Sequence, residues 1–160
     1  MNASLNQINN VYHSKNDKSL ILSYEENAIL ALKNSNFRVT MPRIQVIRAL
    51  ASSHTAMSAY EIHEKITKQG GRIDVVSVYR VLVTLQEVGL IYKVGMMNGF
   101  FPNLNGAKSA NKSSLLINNE SSEVHCVSID PAVYGSIEKS ISALGFDPKQ
   151  IRIEVLADKK

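Results

Sequence analysis

Residues 57–91 read MSAYEIHEKITKQGGRIDVVSVYRVLVTLQEVGLI, and they hold two helices with the turn between them. Ser58 followed by Glu61 is the spacing of a capping box, in which each side chain satisfies the other residue's backbone N–H. Ile62 and Ile66 then give an apolar side, and Gly70-Gly71 stops the helix. Asp74 caps the next helix, whose Val75, Val78, Leu82 and Leu85 recur on one side until Gly89. A helix, a Gly-containing turn and a second helix are the parts of a helix-turn-helix, and the second helix is the candidate reader of a major groove.

Working outward, Ser23 is a cap candidate upstream, with Glu25 and Glu26 where a helix dipole favours acid and Ile29, Leu30 and Leu32 on an apolar side. Thr40 caps a further helix with Pro42 in its first turn and Ile44, Ile47, Leu50 and Ala51 at helical spacing. Downstream, 90–94 and 100–104 are short apolar runs separated by a stretch containing Asn98-Gly99, the dipeptide most suited to a tight hairpin. Three helices and a hairpin make a winged helix. The segment 105–114, NGAKSANKSS, has hinge composition. Beyond it, 115–117 and 124–129 read as strands around a polar turn. Asp130-Pro131 opens a helix bearing Val133, Ile137, Ile141 and Leu144 and closed by Gly145, and Ile151, Ile153 and Val155 alternate as a last strand. The expected class is therefore α+β: an extension (1–22), a winged-helix domain (23–104), a hinge (105–114) and a small α/β domain (115–160). A unit of about 45 residues buries too little surface to be comfortable alone, so it is expected to pair with a second copy.

Composition narrows the function. The chain has 160 residues, 44% of them apolar, and one cysteine. Neither a bilayer-spanning run nor the basic, greasy start of a signal peptide is present in the sequence, so a cytoplasmic location is expected. A lone Cys126 excludes an internal disulfide and cannot by itself hold zinc. Residues 1–104 carry 11 Lys and Arg against 7 Asp and Glu, whereas 105–160 carry 7 of each. A basic half joined to a neutral half fits a nucleic-acid-binding module followed by an assembly or sensing module. No Gly-rich phosphate loop, nucleophile elbow or paired acid/base arrangement stands out, so an enzyme is not expected.

On the fourth helix Ser77, Arg80 and Thr84 lie off the apolar stripe, with Tyr79 on its shoulder. Arg offers a fork for guanine or phosphate, Ser and Thr donate to phosphate, and a tyrosine ring can press on a thymine methyl. Arg38, Thr40 and Arg43 gather at the mouth of the second helix, where cations oppose the dipole and a phosphate backbone would supply the reason for them.

The runs FRVTMPRIQVIRAL (37–50), MSAYEIHEKI (57–66) and VVSVYRVLVTLQEVGLI (75–91) resemble the DNA-binding domain of the ferric uptake regulator family of bacterial metal-dependent repressors. The resemblance implies a homodimeric regulator, a repressor, whose winged helix binds double-stranded operator DNA and whose second domain dimerises. It implies that Tyr79 and Arg80 contact the operator from the recognition helix, that Ser77 touches the backbone, and that Arg38 enters the adjacent minor groove. It also implies metals: members of the family usually bind Zn together with Fe, Mn or Zn, through a histidine-rich run after the hairpin and often a pair of Cys-x-x-Cys motifs. Here the hinge has no imidazole or carboxylate, Ile117 and Glu120 stand at the spacing of the first Cys-x-x-Cys, and Pro102 or Asn103 stands where a glutamate is expected. What remains is His13, His54, His63, His125 and Cys126, and the neighbours His125 and Cys126 point to opposite faces of a strand. No cofactor or metal site is expected. The other reading is an interaction paralogue that heterodimerises with, or antagonises, a metal-sensing relative.

Overall fold

The computed structural model describes residues 18–106 and 111–160. His13 and most of the extension read at 1–22 lie outside the described residues, as does part of the hinge. Four helices come first: α1 (Lys18–Asn34), α2 (Met41–Ala51), α3 (Ala59–Lys68) and α4 (Val75–Glu87). A hairpin, β1 (Ile91–Val94) and β2 (Gly99–Pro102), follows; then come β3 (Lys112–Asn118), β4 (Val124–Cys126), α5 (Pro131–Ala143) and β5 (Ile151–Ala157). None of the described helices is long and apolar enough to cross a membrane.

The helix boundaries follow from capping chemistry. Ser58 Oγ accepts from Glu61 N while Glu61 Oε2 accepts from Ser58 N at 2.7 Å, a complete capping box. Asp74 and Asp130 cap α4 and α5 by accepting from Ser77 N and Ala132 N, each at 2.8 Å. Thr40 has the extended conformation of an N-cap, but its side chain makes no cap bond, and Pro42 sets the first turn instead.

The start of α1 differs from the sequence reading. The described helix already includes Lys18, so Ser23 is an interior residue rather than its cap. The face that packs is Tyr24, Ala28 and Leu32, spaced i, i+4, i+8, while Leu30 is exposed. Glu25 is consequently not a dipole partner; it holds Arg48 of α2 with both carboxylate oxygens, at 2.7 to 3.0 Å. Tyr24 donates from its buried hydroxyl to Leu90 O at 2.8 Å, tying α1 to the start of the hairpin.

One core unites Tyr24, Ala28 and Leu32 with Ile47 and Leu50 of α2, Ile62 and Ile66 of α3, and Val78, Val81, Leu82 and Leu85 of α4. Val81 takes the buried place that the sequence reading gave to Val75, which is half-covered. Gly71 is needed for close approach, since a Cβ there would stand 2.5 Å from Ile66 Cγ2.

The hairpin register pairs Tyr92 with Phe101 and Val94 with Gly99. Asn98 takes the left-handed conformation (φ 47°) expected of a hairpin turn, but Gly99 does not. Gly99 lies instead in the strand, where a Cβ would be 3.0 Å from backbone atoms of Ala56 and Met57. The absent side chain lets Phe100 and Met57 exchange two backbone hydrogen bonds, at 2.8 and 2.9 Å.

The second sheet has the order β4-β3-β5, with β4 antiparallel and β5 parallel to β3, so α5 belongs to the crossover connection that returns the chain alongside β3. The apolar stripe read on α5 is only partly covered. Tyr134 is buried, Ile137 and Ile141 are intermediate, and Val133 and Leu144 are exposed.

Candidate nucleic-acid interface

Burying Val78, Val81, Leu82 and Leu85 turns the opposite side of α4 outward, and that side carries Val76, Tyr79, Arg80 and Val83, all exposed. The spacing 76, 79/80, 83 is one stripe of a helix, the geometry with which a recognition helix offers side chains to base edges. It mixes one guanidinium fork, one phenol and two apolar tips suited to thymine methyls.

Tyr79 is 46% exposed and meets Tyr60 of α3 edge-on, with ring centroids 6.4 Å apart and planes at 86°. Tyr60, Val76 and Val83 were not among the candidates read from the sequence. Their signal was available: they are large apolar or aromatic residues at helix positions off the buried stripe.

The other candidates are placed differently from one another. Ser77 is half-buried, and its hydroxyl donates to Asp74 Oδ2 at 2.6 Å. Thr84 donates to Arg80 O at 3.3 Å. Both hydroxyl protons are therefore engaged within α4 rather than presented to a phosphate. The Ser77 hydroxyl and then its amide hold the Asp74 carboxyl below the usual carboxylate range, so the entry to α4 carries a fixed negative charge at neutral pH. At the mouth of α2, Arg38 and Thr40 are exposed, whereas Arg43 donates to Arg38 O and lays its guanidinium 5.3 Å from the centroid of the Phe37 ring. Arg43 thus braces the loop that carries Arg38.

Around the hairpin, Asn103 is fully buried and organises the junction. Its Oδ1 accepts from Tyr92 OH at 2.6 Å and Asn105 N at 3.2 Å; its Nδ2 donates to Gly89 O and Gly106 O, both at 2.8 Å. Cys126 is buried with Tyr92, Val94, Phe101, Leu115, Ile117 and Val124 in a second apolar cluster. His125, its neighbour on β4, stands opposite Leu116, and His54 is exposed with its carbonyl accepting from Val124 N at 2.8 Å. Among the described residues no three of His, Cys, Asp and Glu gather as a metal-holding group.

The sequence model of the ferric uptake regulator family matches residues 34–156. The chain belongs to the ferric uptake regulator family. Among related proteins, the peroxide-responsive repressor PerR of Staphylococcus aureus (strain Mu50) is 30% identical over 66 residues, which are 41% of this chain and 45% of that one. The chain thus matches less than half the length of such relatives. Holo XcZur superposes with a TM-score of 0.76 at 23% identity, over 86% of this chain and 94% of the other. A zinc uptake regulator complexed with zinc and DNA also gives 0.76, at 20% identity, over 87% and 92%. The family's two-part fold, a helical DNA-binding part followed by a small mixed domain, is therefore the fold of this chain.

Burial pushes the Cys126 thiol up to about 11, offset in part by a hydrogen bond with the Leu104 backbone. A shift of that size leaves about a hundredfold less thiolate at neutral pH than an ordinary cysteine has. Iodoacetamide at pH 7.5 is expected to label the unfolded chain readily and the native protein at least about a hundredfold more slowly. Equal rates in the two states would show the thiol to be accessible.

Proposed function

We propose that this chain is a sequence-specific DNA-binding repressor that acts as a cytoplasmic homodimer, with no catalytic role and with the family's metal-sensing site degenerate. The observation that carries the reading is the outward stripe of α4, where Tyr79, Arg80, Val76 and Val83 are exposed on a helix whose other side is locked in the core. Arg38 at the mouth of α2 supplies a second cation for the backbone or minor groove, with Thr40 beside it and Arg43 bracing it. Ser77 and Thr84 act from within α4, shaping its entry and its middle turn. A zinc uptake regulator of the same fold, complexed with zinc and DNA, supports DNA binding as the reading.

Dimerisation is favoured by what the second domain leaves uncovered. Val133, Leu144, Phe146, Val155 and Leu156 are exposed, and β5 pairs on one side only among the described residues. Exposed apolar side chains on both faces of β5 and around α5, together with an open strand edge, are what a two-fold partner covers.

The donor set does not fit the resident metals of the family. Of the two positions where a glutamate is expected, Pro102 has no donor side chain and the amide of Asn103 is consumed by four protein partners, and Cys126 faces an apolar cluster. His54, His63 and His125 are not brought together as a ligand group. DNA binding is therefore expected to be set by charge and not by metal. A duplex selected by the protein from a random library should lose affinity by about a thousandfold between 50 and 200 mM salt if about six phosphates are neutralised. The same affinity should be unmoved by EDTA or by added Fe, Mn or Zn. A tenfold gain on adding one of these metals would overturn the degenerate-site assignment, and failure to select any duplex would overturn DNA binding.

A further inference from the structure

Arg152 and Glu154 of β5 lie two residues apart and so on one face of the strand, and both reach across to the hairpin. Glu154 takes two successive backbone amides at the hairpin tip: Oε1 accepts from Gly95 N at 2.9 Å and Oε2 from Met96 N at 3.0 Å. Arg152 donates through Nη1 to the carbonyl of Lys93 and places its guanidinium 5.6 Å from the centroid of the Tyr92 ring. Its Nε is buried with no partner, a cost that the Lys93 and Tyr92 contacts must outweigh. Charge-assisted bonds of this kind are the stronger class, and a carboxylate bridging two adjacent amides fixes orientation as well as distance.

The grip is directional because its partners on the hairpin are mostly main chain. It reads where the hairpin is, not which side chains the tip carries. It is backed from two other sides. Tyr92, Val94 and Phe101 share the second apolar cluster with Leu115, Ile117, Val124 and Cys126, and the loop before α3 is bridged to the strand turn through Thr55 and Glu123. The hairpin is in turn fused to α4 through Leu90, which follows the helix and is buried in its core. Moving the hairpin tip therefore moves α4.

We propose that Arg152 and Glu154 are positioning residues for DNA recognition: a direct polar clamp between the second domain and the wing that sets the separation and angle of the two recognition helices in a dimer without a metal ion. This rests on the DNA-binding reading above. In a two-fold dimer, half-site spacing is fixed by how rigidly each reading unit is held to the dimerising unit, so loosening the clamp penalises two-site binding while leaving a single half-site unaffected.

The test uses the full chain and the duplex it selects from a random library, beside the same duplex with one half-site scrambled and duplexes with one or two base pairs inserted between half-sites. Glu154→Gln and the double variant Arg152→Ala/Glu154→Ala are measured for affinity, dimer mass and melting temperature. The expected result is at least a tenfold loss on the intact duplex, unchanged affinity for the scrambled one, and a weakened penalty for inserted base pairs, with the dimer retained. An unchanged intact-duplex affinity and spacing penalty would overturn the clamp while leaving DNA binding intact. Selection of no duplex by the wild type would overturn the reading beneath it. Amide exchange of Gly95 and Met96 in the wild-type protein provides a measure that needs no variant: protection is expected, and exchange at the rate of an open loop overturns the clamp.

Discussion

Alanine at both Tyr79 and Arg80 is expected to remove about 2 to 6 kcal/mol of operator affinity from a dimer, from roughly 30-fold to roughly 25,000-fold, with the melting temperature held within a few degrees. The size follows from about 1 to 3 kcal/mol for one Arg fork on a guanine, counted in each protomer. The insensitivity of the fold follows from exposure: neither side chain belongs to the core, and alanine is the best helix former. Fluorescence anisotropy with a selected duplex reads the affinity, and circular dichroism reads the fold. Arg80→Lys should recover little, because an ammonium cannot make the two parallel bonds of a guanidinium. Unchanged binding by the double variant would move the operator contact away from α4 and favour the paralogue that works through protein partners.

Asn103→Ala is expected to cost about 3 to 5 kcal/mol of folding stability, a large part of the roughly 5 to 15 that a domain possesses. One buried amide serves Tyr92 OH, Asn105 N, Gly89 O and Gly106 O, and its loss strands polar groups in a place that water reaches poorly. Asn103→Asp keeps the acceptor for Tyr92 and Asn105 but turns an anion toward the carbonyls of Gly89 and Gly106, so it is expected to destabilise as well. Urea denaturation measures both variants. A midpoint shift equivalent to less than 1 kcal/mol for Asn103→Ala would show that the junction repacks around the gap.

How much of this could be read from the chain depends on the range of the interaction. The starts of α3, α4 and α5 are local events, written in Ser58-Glu61, Asp74 and Asp130-Pro131, and the structure starts the helices there. The start of α1 is not: the helix already runs through Ser23, and the face it packs, Tyr24, Ala28 and Leu32, is set by partners in the core rather than by the cap chemistry of Ser23. The outward face of α4 was half legible: the buried stripe named Arg80 and Tyr79 by exclusion, but the hydroxyl bonds of Ser77 and Thr84 depend on rotamers that spacing does not reveal. Asn103 showed only as one of two places, with Pro102, for a missing glutamate, and its partners Gly89, Tyr92 and Gly106 are brought around it only by the fold. Nothing in the pattern around Glu154 announced a partner at Gly95, since the alternation of β5 says which residues share a face and not what that face meets.

The parallel pairing of β3 with β5, Lys112 opposite Ile151, also imposes an order in time. All the residues of the four helices and of both hairpin strands are available once Pro102 is made, although Tyr92, Val94 and Phe101 meet their cluster only with Leu115, Ile117, Val124 and Cys126. The second sheet cannot close until β5 is available about fifty residues later, a delay of about 3 to 10 seconds at the usual pace of synthesis. On the proposed reading, the outward face of α4 is therefore synthesised before the strand that would orient it, so the clamp of Arg152 and Glu154 can close only after the hairpin it grips has left the synthesis site.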